Sequence, residues 1–413
     1  MKLAGRLGAL TERNFRLLFS STTISALGDG VATIALAFAV LDVSHNSAVA
    51  LGGVIAARQA AQASITLVAG VWADRLPRHM LLISVASIQG AAQATTAAVV
   101  LTGHATVPLL IGLQVVYGLA DGFVLPASQG LIPATISRGR LQQANALLGL
   151  SRNTIGILGP ALGGVLVGLG SPGSALLVDA ASFGAAALLL TRLHLPARAD
   201  VVEPKSFLAD MREGWGYFRR QTWLWTTIVF FGIGNFAFSS YFVLGPLIAK
   251  RDLGGAPAWA ALMASFGVGS VVGGLFALRF RPRRPLLASC MAAWPIVLQP
   301  VGIALLLPLP VLASFSAAAG FGIAVHLALW FTVFQREVPP EALSRVSSYD
   351  AFGSFVLGPL GAALAGPAAA AFGTKTTLLG AAAVIGVTEL IVFAQPSVWA
   401  IHAPDEAPAP AAA

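Results

Sequence analysis

Charged side chains inside long apolar runs are the residues of this chain best suited to chemistry. Asp29 lies fourteen residues into the apolar run 15–41, and Arg58 lies ten residues into the run 48–73. A helix rises about 1.5 Å per residue, so both side chains fall near the middle of a bilayer if each run crosses it. A charged group in hydrocarbon is costly, and an Asp29–Arg58 pair would neutralise both groups.

Two interpretations of this pair stay open. An interior carboxylate takes up or releases a proton as its solvation and the distance to its partner change. Asp29 would then carry the coupling proton of a transport cycle, with Arg58 as its partner. In the second interpretation, the pair is a static packing element that never titrates.

A second polar set lies in the apolar run 107–126. Asp121 follows Gln114 by seven residues, with Tyr117 between them, so the three share one face of a helix. Asp121 is the second candidate proton site, or else a solvated residue at the end of a helix. Asp179 and Glu389 lie in later apolar runs and are expected at the membrane interface.

The composition indicates that lipid surrounds most of the chain. Its 413 residues are 56% hydrophobic and only 10% charged, whereas a soluble domain has about 25% charged residues. The single cysteine, Cys290, excludes an internal disulfide and a cysteine-based metal site. The sequence contains no phosphate-binding glycine loop, metal-type histidine spacing or nucleophile elbow, so it predicts neither an enzyme nor a bound cofactor or metal.

The apolar runs predict an all-α membrane protein with twelve transmembrane helices. Each run has about the 20 residues that a span needs. The predicted spans are 15–41, 48–73, 80–102, 107–126, 146–169, 174–194, 224–248, 258–280, 286–307, 310–334, 349–370 and 376–395.

The distribution of positive charge predicts the orientation. Twenty Lys and Arg residues fall in segments on the side of the N-terminus, and three, Lys250, Arg251 and Lys375, fall in the opposite loops. Cytoplasmic loops carry the excess of positive residues, so both termini are expected in the cytoplasm of a multi-pass inner-membrane or plasma-membrane protein. The net charge of +8 therefore sets topology, and no nucleic-acid partner is expected.

The chain divides into two halves of six spans. Residues 1–194 are predicted as the first bundle, 195–223 as a cytoplasmic linker with an amphipathic helix, 224–395 as the second bundle and 396–413 as a disordered tail. The halves echo each other, since Gly274 and Leu278 of the second half repeat the spacing of Gly70 and Asp74. The repeat predicts two pseudo-symmetric six-helix bundles with a substrate site between them.

A short charged turn is predicted between spans two and three. Gly70, Asp74, Arg75 and Arg78 stand at the spacing of the motif between helices two and three of the major facilitator superfamily, with Pro77 in place of its second glycine. The chain therefore resembles that superfamily, which implies the major facilitator fold and transport by alternating access. The turn is expected to act as an inner gate latch that holds the outward-facing state.

Two further segments strengthen the resemblance. Small residues and one proline recur in span five at Gly156, Gly159, Pro160, Gly163 and Gly164. They are similar to the motif of the superfamily's antiporters, in which small residues permit close helix packing and the proline bends the helix. Residues 125–145 resemble the branch that includes macrolide and siderophore exporters.

The resemblance also implies which side chains face a substrate. Spans one, four, seven and ten line the central cavity in this family, so the candidates are Gln114, Tyr117, Asn235, Tyr241, His326 and Trp330. Aromatic residues there can bind apolar or cationic compounds, although a lone histidine such as His326 is more often a hydrogen-bonded packing residue. Gln114 stands where span four of the family carries an arginine, which weakens the usual scheme of proton coupling.

The sequence favours a monomeric secondary transporter, surrounded by membrane lipid, that exports a small, largely apolar compound in exchange for protons. A drug, an antibiotic or a siderophore-like molecule would fit. Gln114 in place of arginine leaves open a facilitator or importer without proton coupling. Leu278 in place of a second-half aspartate leaves open a membrane-embedded binding or sensor protein that does not transport. Flux measurements with and without a proton gradient separate the three.

Overall fold

The computed structural model describes residues 8–75, 77–194 and 215–402, and within these residues the chain is helical without a β-strand. The helices of the first half are α1 (Arg13–Val43), α2 (Ala48–Arg75), α3 (Arg78–Leu101), α4 (Val107–Asp121), α5 (Val124–Thr135), α6 (Leu141–Leu169) and α7 (Pro172–Leu190). Those of the second half are α8 (Thr222–Asp252), α9 (Ala256–Ala277), α10 (Pro285–Ala293), α11 (Leu298–Ala304), α12 (Leu309–Glu337), α13 (Pro340–Phe355), α14 (Gly358–Phe372), α15 (Thr374–Ala394) and α16 (Pro396–Trp399).

Eleven helical segments of the described chain are long and apolar enough to cross a membrane. The second predicted span, α2, is not among them. Its 28 residues extend about 42 Å at 1.5 Å per residue, which exceeds the hydrocarbon thickness of about 30 Å. With α2 the helices account for the twelve predicted spans.

Three spans are interrupted by short breaks. The first break separates α4 from α5, so helix continues to Thr135 where the sequence predicted a loop after residue 126. The second separates α10 from α11 at a 3-10 turn that contains Pro295. The third lies between α13 and α14, just before Pro359. Proline lacks a backbone donor and does not sustain helical hydrogen bonding, which explains the second and third breaks.

Each half packs around its own helices, and two helix pairs join the halves. In the first half α1 packs against α6 and α7, α3 against α7, and α2 against α4; in the second half α9 and α10 pack against α12, and α8 against α15. Between the halves α6 packs against α9, and α2 packs against α14. These two pairs correspond to each other under the internal repeat.

Buried side chains of the two halves pack together at one end of the bundle, which is called the outer end. Where α1 and α8 end, buried side chains of both halves form one cluster, the outer apolar cluster, which includes Leu36, Val40, Leu41, Leu51, Tyr241, Leu244, Leu247, Trp259 and Leu262. An ion pair between Asp42 and Lys250 joins α1 to α8 at this outer end. At the opposite, inner end the apolar clusters draw on one half each. The structure is therefore closed at the outer end.

Two glycines of α6 permit very close helix contacts. A Cβ atom built on Gly159 would lie 2.7 Å from the Cα of Gly30 on α1, and one built on Gly164 would lie 2.2 Å from the Cβ of Ala260 on α9. Both distances are shorter than real Cβ contacts, so a larger residue would force the helices apart. Gly164 therefore marks the point where the first half fits the second.

Replacing Gly164 with Ala is expected to loosen the outer end, because the added methyl group overlaps Ala260. Overpacking costs about 1–3 kcal/mol, and about 1.4 kcal/mol already raises an open fraction tenfold. The test is the rate at which a water-soluble maleimide labels a cysteine at Val40, with Cys290 replaced by Ala. Gly156→Ala is the matched control, since a Cβ there meets no atom within 4 Å. Equal labelling rates in the two variants would contradict the prediction.

The chain after α15 corrects the predicted disordered tail of 396–413. Residues Pro396–Trp399 form α16, and Val398 and Ile401 are buried in an apolar cluster of the second half. Arg336 donates a hydrogen bond to the carbonyl oxygen of His402 at 2.9 Å. The prediction of disorder was wrong for residues 396–402, because two of their apolar side chains are buried. The composition of the segment did not indicate this burial. Residues 403–413 and the linker residues 195–214 lie outside the described ranges, and residues 215–220 are helical.

Candidate functional site

Asp29 occupies the face of α1 that looks toward α2 and α4. The residues on either side of it face other helices, since a Cβ on Gly28 would meet Ser182 of α7 and one on Gly30 would meet Gly159 of α6. Successive residues turn by about 100° around a helix, so Asp29 points away from both contacts.

Side chains from two other helices meet Asp29. Nη2 of Arg58 on α2 lies 3.8 Å from Oδ1 of Asp29, and the hydroxyl of Tyr117 on α4 donates a hydrogen bond to the same oxygen. The guanidinium group of Arg58 also lies over the Tyr117 ring, 4.1 Å from its centroid. The structure thus brings Asp29, Arg58 and Tyr117 into one ion pair with a cation–π contact.

The pair is only partly enclosed. The side chains of Asp29 and Arg58 retain 37% and 25% of their area exposed, whereas Tyr117 is fully buried. A carboxylate that packs against buried side chains on one side and is exposed to water on the other is suited to exchange a proton. Its charged form becomes more or less stable as its exposure to water changes.

Asp121 lies at the break between α4 and α5. Its Oδ2 atom accepts a hydrogen bond from Nε2 of Gln62 at 2.8 Å, and its Oδ1 atom accepts one from Nε2 of Gln89 at 3.3 Å. Asp121 does end a helix, but the apolar span continues to Ser128. Its carboxyl group is therefore partly buried between two amide donors.

Asp179 on α7 is a buried acidic residue that sequence reasoning placed incorrectly at the interface. It is fully buried, its Oδ2 atom accepts a hydrogen bond from Nε2 of Gln93 at 2.7 Å, and Ser182 Oγ lies 3.4 Å from its Oδ1 atom. One feature of the sequence could have indicated this burial. Gln89 and Gln93 lie four residues apart on one face of a mostly apolar span.

Gln114 extends this polar group by one more residue. It is fully buried, and its Nε2 atom donates to Oε1 of Gln93 at 3.5 Å. Its own Oε1 atom has no hydrogen-bond partner among the described residues. Gln114 therefore belongs to the polar core of the first half and presents no surface to the region between the halves.

The described part of the first half thus contains three groups of contacting polar side chains, which together are called the acidic core. Its members are Asp29, Arg58, Gln62, Gln89, Gln93, Gln114, Tyr117, Asp121 and Asp179. A family model described as Major Facilitator Superfamily matches residues 18–362, which include this whole set. The chain belongs to the major facilitator superfamily.

Curated relatives of this superfamily protein include two named exporters. It is 27% identical over 403 residues to the multidrug efflux pump Tap of Mycobacterium tuberculosis, with 93% of each chain covered. It is 26% identical over the same length to the enterobactin exporter EntS of Escherichia coli, again with 93% of each chain covered.

Solved structures of the superfamily share its fold. The nucleoside transporter NupG matches with a TM-score of 0.73 at 13% sequence identity, over 92% of this chain and 98% of that one. A bacterial homologue of the lysosomal transporter Spinster, in an inward-facing and unoccupied conformation, matches with a TM-score of 0.69 at 16% identity, over 92% and 96%. The protein is therefore an integral membrane protein with the major facilitator fold.

In the second half of this superfamily protein, His326 is a packing residue. It is 5% exposed, its Nδ1 atom lies 3.0 Å from the hydroxyl oxygen of Ser289, and its ring stacks on Phe231 with centroids 5.2 Å apart. The structure favours the packing interpretation of His326 over the cavity-lining one.

The other second-half candidates also hold structural contacts. Tyr241 is 1% exposed and belongs to the outer apolar cluster. Trp330 is 5% exposed and donates from Nε1 to Oδ2 of Asp350 at 3.3 Å, a carboxyl group that sequence reasoning missed. Asn235 is partly buried and donates from Nδ2 to the carbonyl oxygen of Ser354 at 3.0 Å, which ties α8 to α13. The structure thus leaves Asn235 as the most accessible of the four predicted residues.

The family motif between spans two and three lies where α2 meets α3. Helix α2 continues through Arg75 and α3 begins at Arg78, so the turn is shorter than the predicted gap of 74–79, and Gly70 and Asp74 are helical. The side chains of residues 70–75 lie outside the described part of the structure, and the latch therefore stays a prediction.

The antiporter-like motif of span five packs α6 against two helices. Gly159 and Gly163 face α1, where a Cβ on Gly163 would lie 2.8 Å from the carbonyl oxygen of Val31, and Gly164 faces α9. Gly156 has open space beside its own Cα, although its carbonyl oxygen lies 3.0 Å from a Cβ built on Gly267. Helix α6 runs through Pro160 without a break.

Proposed function

We propose that this protein is a secondary active transporter that exports a small, largely apolar compound in exchange for protons. The observation that carries the proposal is the partly exposed Asp29–Arg58 pair against the buried Tyr117. The similarity to a multidrug efflux pump and to an enterobactin exporter supports the direction of transport and a drug-like or siderophore-like substrate.

The charge balance of the acidic core supports proton coupling. Three carboxyl groups, Asp29, Asp121 and Asp179, share the described interior of the first half with one guanidinium group, that of Arg58. If all four were ionised, two negative charges would remain uncompensated in a region of low dielectric, which is strongly unfavourable. At least one carboxyl group is therefore expected to hold a proton, and a change of access would release it.

The arrangement of the halves supports alternating access. The outer end is closed by one shared apolar cluster, and the apolar clusters that the described residues form at the inner end each belong to one half. A substrate would enter between the halves from the cytoplasm in this state, and protons would bind after the outer end opens. Asp29 is proposed as the proton carrier, Arg58 as its partner and Asp121 as a secondary acidic site.

The proposed orientation places both termini in the cytoplasm. Ala197→Cys in the linker, with Cys290 replaced by Ala, is therefore expected to resist a membrane-impermeant thiol reagent in intact cells and to react in inverted vesicles. His45→Cys, at an exposed position between α1 and α2, is the matched control and should react in intact cells. Labelling of Ala197→Cys from outside would overturn the orientation.

The test of coupled export uses proteoliposomes and ethidium, an aromatic cation. With the membrane potential held at zero, an imposed pH difference of one unit supplies about 1.4 kcal/mol per proton, enough for a tenfold ethidium gradient in one-for-one exchange. A protonophore should abolish the gradient. Ethidium flux that is insensitive to the protonophore would instead favour an uncoupled facilitator. The uncharged Gln114 is the residue that favours this alternative.

A further inference from the structure

A small cavity lies inside the first half, between α1, α3, α5 and α7. Its volume is about 50 Å³, and no described residue of the second half lines it. Its polar lining consists of Ser21, Thr22, Ser25, Gln89 and Ser128. A cavity holds a water when it has room for one water-sized sphere and offers two to four polar partners, so this cavity has the size and the chemistry to hold water.

Asp179 lies about one helical turn beyond this cavity. Phe183 and Ala186 of α7 line the cavity, and they follow Asp179 by four and seven residues on the same helix face. On α3, Gln89 lines the cavity, and Gln93, one turn further along, donates to Asp179 at 2.7 Å. The cavity and Asp179 therefore follow one another along α3 and α7, and together they are called the polar column.

The inner end of this column is closed by apolar side chains. Leu82 and Leu190 line the cavity and belong to a buried cluster with Leu18 and Leu131. These leucines lie at the inner ends of their helices, between the cavity and the cytoplasmic side of the proposed orientation. The described lining of the cavity thus belongs to the first half alone, and apolar side chains lie on its inner side.

The surroundings of Asp179 favour a neutral carboxyl group. Its hydrogen-bond partners, Gln93 and Ser182, are uncharged, and a buried carboxylate without a charged partner is strongly unfavourable. The charged groups that act on it are Asp29 on α1, with the same sign, and Arg58 on α2, which contacts Asp29. From the described residues of the other neighbouring helices, α3 presents Gln89 and Gln93, α4 presents Gln114, Tyr117 and the more distant Asp121, and α6 presents no charged group.

We propose that Asp179 is a second proton-binding residue of this transporter, and that protons reach it through the cavity inside the first half. A hydronium ion in the cavity gives up the proton: one of its O–H bonds breaks, one O–H bond forms at a carboxylate oxygen of Asp179, and a water molecule remains. This inference rests on the proposed proton-coupled export, and it gives the proton a path separate from that of the substrate.

The position of Asp179 also suggests how it would act on Asp29. The two carboxyl groups lie on opposite sides of α1, since a Cβ on Gly28 would lie 2.4 Å from Oδ1 of Asp179 while Asp29 faces Arg58. Two nearby carboxylates repel each other, so a proton on one favours the ionised form of the other. Protonation of Asp179 would therefore keep Asp29 ionised beside Arg58.

Infrared difference spectroscopy of the purified protein in lipid tests the proposal without substrate or gradient. A pH step should reveal the carbonyl stretch of a protonated carboxyl group, and Asp179→Asn should remove one component of this band. Glu337→Gln is the control, because Glu337 is an exposed carboxylate beside Arg336, and it should leave the band intact. Full retention of the band in Asp179→Asn would overturn the assignment.

A second variant tests the path and remains informative if Asp179→Asn folds poorly. Ser25→Val with Ser128→Val keeps every carboxyl group but replaces two hydroxyl groups of the cavity with methyl groups. After transfer to D₂O, the hydrogen exchange of the Asp179 band should slow at least about tenfold, since the cavity loses water partners. An unchanged rate would show that protons arrive by another route. Because neither measurement involves transport, a failure of coupled export would be recorded separately.

Discussion

Asp29→Asn is expected to abolish uphill export while leaving substrate binding and exchange intact. The amide keeps the shape of the carboxyl group and can still accept the hydrogen bond that Tyr117 donates, but it has no proton that titrates. A pH difference of one unit, worth about 1.4 kcal/mol per proton, should then support no substrate gradient where the unmodified protein holds about tenfold.

Proteoliposomes loaded with ethidium give both measurements. Counterflow exchange without a pH difference reports binding and alternation, and accumulation with a pH difference reports coupling. Asp350→Asn is the matched control, since Asp350 is a partly buried carboxyl group of the second half that bonds to Trp330. A well-folded Asp29→Asn protein that still accumulates ethidium would eliminate Asp29 as the carrier, and Asp121→Asn would be the next variant to measure.

Arg58→Gln is expected to destabilise the protein, and Asp29→Asn is expected to compensate. Removing one partner of a fully buried ion pair costs about 3–5 kcal/mol, because the other charge is stranded. Asp29 and Arg58 retain 37% and 25% exposure, so solvent screening lowers the expected cost to about 1–3 kcal/mol. The double variant has no stranded carboxylate and should recover most of this loss, although not the contact between Arg58 and the Tyr117 ring.

Thermal unfolding of the two single variants and the double variant in detergent measures this coupling. A double variant clearly more stable than Arg58→Gln alone would show that the two charges depend on each other. A double variant as unstable as Arg58→Gln would mean that Arg58 acts through Tyr117 or Asp121 instead. This cycle also separates a static role from a transport role, because a static pair would leave uphill export unchanged in any variant that folds.

The helical bundle and the depth of its central charges in the membrane could be predicted from the sequence, because both follow from counting residues. Apolar runs define the spans, and a rise of 1.5 Å per residue places Asp29 and Arg58 at similar depth on two neighbouring helices. The contact between Asp29 and Arg58 follows from the cost of leaving either charge alone in a nonpolar region.

The direction in which side chains point could not be predicted from the sequence, and the wrong predictions concern that direction. Helix α7 is apolar on every side, so its sequence did not show that Asp179 faces Gln93 and the interior. Tyr241 was expected in a cavity because of its span, but it is buried in the outer apolar cluster. The segment 396–402 was expected to be disordered, although two of its apolar side chains pack under the second half.

The outer apolar cluster makes the balance between the two transport states depend on temperature. Opening the outer end would expose Leu36, Val40, Leu244 and their neighbours to water, and the hydration of apolar surface raises the heat capacity. The equilibrium constant between the closed and open outer end should therefore follow a curved van 't Hoff plot. Because the hydrophobic contribution weakens on cooling, a cold membrane would hold a larger share of molecules with the outer end open.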